Sequence, residues 1–193
     1  MTQAELAPTR TRWGIILLLW WCGIGSAMQF AKVSVGFDAL GTQYQLSLPQ
    51  TGWLLSMIGI VGLIFGATAG VMVRQWDYRN SLLLALAVGG LLSLGQAMLP
   101  PLSILMLSRV IEGISHLVLV IVAPILMHVF SAPQHRAIAM GLWGTFFGVA
   151  YSLASLFAAP VLAHYGVQGL LLGHGALLLA LAVGVGGLMP AGA

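Results

Sequence analysis

Residues 102–129 read LSILMLSRVIEGISHLVLVIVAPILMHV. A helix needs about 20 apolar residues to cross a hydrocarbon core of about 30 Å, and this run is long enough. It nevertheless carries Arg109, Glu112 and His116 within eight residues. The rest of the chain explains the setting. Of 193 residues, 60% are hydrophobic and 6% charged, and the mean hydropathy is +1.02. A soluble domain carries about 25% charged residues. The solvent for most of this chain is therefore lipid. A single cysteine, Cys22, lies in an apolar run and implies no disulfide or metal framework. The net charge of +3 is small and scattered, which argues against a nucleic-acid partner.

Working outward from that run, the sequence predicts an all-α integral membrane protein with six transmembrane helices. They are expected at about 13–33, 52–73, 80–99, 102–129, 137–163 and 167–189. The links are FDALGTQYQLSLPQ, RQWDYRN, LPP, SAPQHR and HYG, with Pro160 expected to mark the end of the fifth helix. Residues 1–12 form a short tail, and 13–190 form one transmembrane domain with no soluble domain. The first run is too long and too rich in Trp for a signal-peptide core. Arg10, Arg12, Arg74, Arg79 and Arg136 all fall on one side if both termini are cytoplasmic. Lys32 and Asp38 are the charges toward the other side. This is a positive-inside pattern for a multi-pass protein.

The three ionisable groups of the fourth span form a stripe. At 100° per residue, Arg109, Glu112 and His116 lie at about 0°, 300° and 340°. Arg109 lies roughly 12 Å below the outer end of its helix. A charge at that depth costs at least about 2.5–3.5 kcal/mol on insertion scales, so such groups face the bundle interior and mark solute or proton pathways. The bland alternative is a self-neutralised Arg109–Glu112 pair that only glues helices. Gly113, beside the stripe, would let a neighbouring helix approach. The first span adds Gln29 and Lys32 on one face near its outer end. Lys32 either snorkels to the interface or joins the same cavity. In the second case Lys32, Arg109 and His116 outweigh Glu112, and the cavity would favour an anionic substrate.

These residues resemble a known family. The chain is similar to the N-terminal six-helix half of a major facilitator superfamily (MFS) transporter, over nearly its whole length. Arg109-x-x-x-Gly113 matches the family's Arg-to-Gly signature on the fourth helix, and PQTGWLLSMIGIVGLIFGATAG (49–70) resembles its entry into the second. The resemblance implies that Arg109 faces a central cavity and serves substrate binding or proton coupling. It also implies two nested three-helix repeats and a plasma membrane, the inner membrane of a bacterium. The second link resembles the family's cytoplasmic gating loop G-x-x-x-D-x-x-G-R-[RK], aligned on Gly70, Arg74, Asp77 and Arg79. Arg74 stands where the family has Asp, and Asp77 where it has Gly. In the fifth span Gly144-x-x-x-Gly148 permits close helix packing, and Val149 replaces the proline of the exporters' signature.

Such a half implies small-solute transport by alternating access, with a second copy as a homodimer or with a separate second half. A truncated, non-transporting remnant or membrane interaction protein is the other reading. A third comes from Gly113-Ile114-Ser115-His116 and Gly173-His174-Gly175, which are similar to the Ser–His pair of rhomboid proteases. His116 replaces the second glycine of their G-x-S-G, and no helix-2 histidine is available. No cofactor or metal site is implied, since His128, His135 and His164 lack ligand spacing. The stripe separates the readings. A transporter needs it facing a hydrated cavity, a remnant has it sealed, and a protease needs Ser115 near His174.

Overall fold

The computed structural model describes residues 9–73 and 76–191, and the side chains of 70–73 are outside the description. Within a bilayer each backbone N–H and C=O must be paired inside its own segment, so apolar runs of this length become helices. The order is α1 (Trp13–Val35), α2 (Phe37–Tyr44), α3 (Leu48–Val73), α4 (Tyr78–Ala97), α5 (Leu102–Val129), a 3-10 turn (Pro133–His135), α6 (Arg136–Gly144) and α7 (Phe146–Leu188).

α7 is much too long for one crossing. Inside it, Gly166 has φ 62° and ψ −164°, a conformation open to glycine and strained for other residues. Trp143 and Phe146 lie against Gly23, while Leu178 and Leu181 lie against Gly25. A straight helix from 146 to 178 would span about 48 Å. Both ends meet the same turn of α1, so the chain reverses at Gly166 into two antiparallel arms, 146–165 and 167–188. α6 runs into the first arm through Thr145, whose backbone is helical. The crossings are therefore six: α1, α3, α4, α5, α6 with the first arm, and the second arm.

Three local expectations are corrected. Pro160 does not end the fifth helix, because the helix runs on past it. A proline is tolerated inside a membrane helix more readily than in a soluble one. The first outer link is not simply a loop, since it contains α2. α3 begins earlier than expected, at Leu48. Gln50 Oε1 accepts from both the Ser47 N–H and its hydroxyl, at 2.9 Å each. This is the reciprocal half of a capping box and fixes that start.

The two ends of the bundle are tied separately. At one end Arg12 N donates to Phe130 O (3.1 Å). Thr11 Oγ1 accepts from Ala132 N (2.9 Å) and meets His135 Nδ1 (2.9 Å). At the other end Tyr44 donates to Pro100 O (2.9 Å) and Gln168 to Ala97 O (3.2 Å). Each end has an apolar core. Ile16, Leu19, Leu86, Leu126 and Leu178 belong to the first. Val33, Leu54, Leu105 and Leu171 belong to the second. Along α1, α4, α5 and the second arm of α7, the buried residues between these cores include polar and charged ones.

Candidate functional site

That middle layer is a charged cluster. Glu112, on α5, is completely buried. Its Oε1 lies 2.5 Å from Lys32 Nζ, and its Oε2 lies 2.5 Å from Arg109 Nη1. Gln96 of α4 donates a third bond to Oε2 at 2.8 Å. The i, i+3 spacing brings Arg109 and Glu112 together within one helix, and α1 supplies Lys32 from across the interface. Charge-assisted bonds of this kind are short and strong. They offset the several kcal/mol that each buried ion costs.

Lys32 is held from three sides. Besides Glu112, its ammonium meets Gln96 Oε1 (2.8 Å), Ser93 Oγ (2.9 Å) and His174 Nδ1 (3.3 Å). At 4% exposure it does not snorkel. His174 Nε2 lies 3.0 Å from Gly25 O. A carbonyl only accepts, so the imidazole proton sits on Nε2 and the Nδ1 lone pair faces Lys32 and Ser93.

Arg109 is fully buried and donates from Nε to Leu54 O of α3 at 3.2 Å. Its Nη2 has no partner among the described residues. Gln29 donates to Ser115 Oγ at 3.3 Å, and its own Oε1 is likewise unpartnered. His116 lies at the edge of the layer, half-buried. Its Nδ1 is 2.8 Å from Ser26 Oγ, and its ring meets Phe30 edge-on at 5.0 Å.

The five residues expected on a pathway, Arg109, Glu112, His116, Lys32 and Gln29, thus stand in one layer. They do not face a broad cavity. The layer is closed by α1, α3, α4, α5 and the second arm of α7, so the charges are paired with protein groups. Ser93, Gln96 and His174 belong to the cluster and were not expected there. The signal for each was the same one that marked α5, a polar residue inside an apolar run.

The remaining expectations fare differently. Gly113 does admit a neighbour, since a Cβ there would meet Val61 Cγ2 at 2.7 Å and Ile58 O at 2.8 Å on α3. Gly144 and Gly148 have no such neighbour, with nothing within 4 Å, so no close packing within the chain is made there. Of the loop residues, Arg74 and the surroundings of Gly70 lie outside the described residues. Asp77 caps α4 by accepting from Asn80 N at 2.7 Å. Arg79 caps the second arm of α7, donating to Gly186 O (2.7 Å) and Met189 O (3.1 Å). Ser115 and His174 form no catalytic pair. Ser115 Oγ donates to Ala85 O at 2.7 Å, and His174 is held by Gly25, Ser93 and Lys32.

The sequence model of the Major Facilitator Superfamily matches residues 19–191. No curated protein matches the chain, and no solved structure matches it. The family match runs from α1 to the last turn of α7, over helices that cross a bilayer six times around a buried ionic layer. The chain therefore belongs to the Major Facilitator Superfamily, a family of membrane transporters.

Proposed function

We propose that the chain carries a small anionic solute across the bilayer by alternating access, with the layer around Glu112 as its pathway. The observation that carries this reading is the charge balance of the layer. Two buried cations, Lys32 and Arg109, share one carboxylate, and Arg109 Nη2 has no partner among the described residues. Within lipid an unsatisfied polar group costs several kcal/mol. An anion would pair with it and neutralise the excess charge. In this reading Arg109 and Lys32 hold the solute, Glu112 competes with it for both cations, and Gln29 and His116 line the approach.

Six crossings enclose the layer in a closed form, so alternating access needs a partner that opens it, either a second copy or a separate second half. In this reading the positive-inside pattern of Arg12, Arg79 and Arg136 favours a cytoplasmic position for their end of the bundle and for both termini. A bacterial inner membrane suits the family resemblance. The link around Asp77 and Arg79 serves as the gate, through its caps on α4 and α7.

The second reading is a non-transporting remnant or membrane interaction protein. The full burial of Arg109 and Glu112 favours it, because a sealed ion pair also serves to glue helices. Proteoliposome uptake by the purified chain separates the two, run beside Arg109→Ala and with crosslinking. Anion or proton flux lost in Arg109→Ala, together with a crosslinked dimer, is the expected result. A monomer without flux against a broad anion panel would move the assignment to the second reading.

A further inference from the structure

A cleft of about 160 Å³ runs between α1 and the two arms of α7. Its walls include Met28, Phe157, Leu170 and Leu177, and its two ionisable residues are Lys32 and His174. Both are nearly buried, at 4% and 5% exposure. At these two residues the cleft touches the outer edge of the closed, charged layer. It differs from the two clefts around Trp76, Ile114 and Val118, which no ionisable side chain lines among the described residues. This one couples an apolar trough to an ammonium.

We propose that this cleft binds a monocarboxylate carrying an apolar group of about ring size. The carboxylate sits on Lys32 Nζ and the apolar part lies between Met28, Phe157 and Leu177. This rests on the reading of the layer as an anion site, and it names the substrate class. The layer has one cation in excess, so a single negative charge balances it. Among the four contacts of the ammonium, that to His174 is the longest at 3.3 Å, and it is the one a carboxylate replaces most cheaply. The cleft is open on one side, and its volume of about 160 Å³ accommodates a ring-sized group, since an enclosed cavity of about 150 Å³ accepts benzene. Gly173 keeps the mouth open, with nothing within 4 Å of where its Cβ would be. The carboxylate can arrive from water on a short acid or from the bilayer on a fatty acid.

The test is calorimetric titration of the full chain in zwitterionic nanodiscs with benzoate, hexanoate and acetate. A further arm loads palmitate into the disc. Benzoate and hexanoate should bind at least about tenfold more tightly than acetate, the gain expected for four or five extra ligand atoms. Gly173→Leu and Ala154→Leu, which fill the trough without touching the charges, should erase that preference and leave weak acetate binding. Lys32→Gln should abolish both, with circular dichroism and gel filtration confirming that each variant is folded. Palmitate that benzoate displaces would support the same site with the bilayer as source. Acetate binding as tightly as benzoate would overturn the cleft and leave the anion reading standing. So would a preference that survives Gly173→Leu. Carboxylate binding that is absent, or indifferent to Lys32 in folded variants, would overturn both.

Discussion

α1 and α3 are both long, apolar, membrane-crossing helices, and α3 is the more apolar of the two. They sit in the bundle in opposite ways. The spanning window of α1 is 61% buried and that of α3 is 17% buried. Apolarity cannot set this order, because lipid tails are as apolar as the helix interior and give no hydrophobic drive for association. Polar groups set it instead. α1 offers Ser26, Gln29 and Lys32, all buried and all bonded to α4, α5 or α7. Among the described residues, α3 contributes to the layer only a backbone carbonyl, that of Leu54. Its other contacts are apolar, through buried Leu54, Ile58 and Val61 and the close approach at Gly113, and it leaves Leu63, Ile64 and Phe65 exposed.

The largest expected effect breaks the polar side of this comparison. Glu112→Gln leaves Lys32 and Arg109 buried with neutral partners only. Removing one member of a buried pair costs about 3–5 kcal/mol. Thermal challenge in detergent, followed by gel filtration, should show an early loss of monodisperse protein. Adding Lys32→Gln restores the original net charge of the layer and should recover part of that loss, which a double-mutant cycle would read as coupling. Leu63→Ala on the exposed face of α3 should stay within about 0.5 kcal/mol of the parent. Equal losses from Glu112→Gln and Leu63→Ala would show that polar bonding does not order the helices.

Next in size is the contact that holds α3. Gly113→Leu drives a side chain into Val61 and the carbonyl of Ile58, and overpacking of this kind costs about 1–3 kcal/mol. Gly62→Leu, on α3 where nothing lies within 4 Å, should leave the melting temperature unchanged. A large loss at Gly62 would mean that a partner covers that face of α3, and it would sharpen the comparison into a contrast between internal and external packing.

The sequence carried the crossings and half of the layer, for physical reasons that can be traced. Runs of about 20 apolar residues imply helices with little ambiguity, and so the six spans were readable. Arg109, Glu112 and His116 were readable because an ionisable group in lipid is rare and the helical period puts all three on one stripe. Ser93, Gln96 and His174 carry the same signal more weakly. Ser and Gln are common enough in apolar helices to pass as packing, and His174 drew attention only as half of a serine–histidine pair. The neighbours of each group were not readable at all. That Lys32 meets Glu112, and that Gly144 meets nothing, depends on which helices are adjacent, and spacing along one helix does not contain that. The break at Gly166 was legible as a link, since HYG is short and ends in glycine, whereas Pro160 misled because a proline does not by itself stop a membrane helix.

The smallest expected effect concerns the link that follows α3. Arg79 donates to Gly186 O and Met189 O, two carbonyls at the C-terminal end of α7 that have no helical donor. A cation in that position also complements the helix dipole, worth about 0.3–1 kcal/mol at a solvated helix end. Arg79→Ala should therefore lower the melting temperature only slightly. It should instead speed hydrogen exchange in the last turn of α7, where the two bonds are lost. Arg79→Lys keeps the charge but not the fork that reaches both carbonyls, so it should restore stability more fully than exchange protection. If Arg79→Ala leaves exchange there unchanged, the contact does not hold the end of α7, and α3's exit is anchored by the Asp77 cap on α4 alone. If it matters as much as Gly113, then the lightly buried helix is held mainly from its ends, and the contrast with α1 lies in where each helix is fixed as well as in how deeply it is buried.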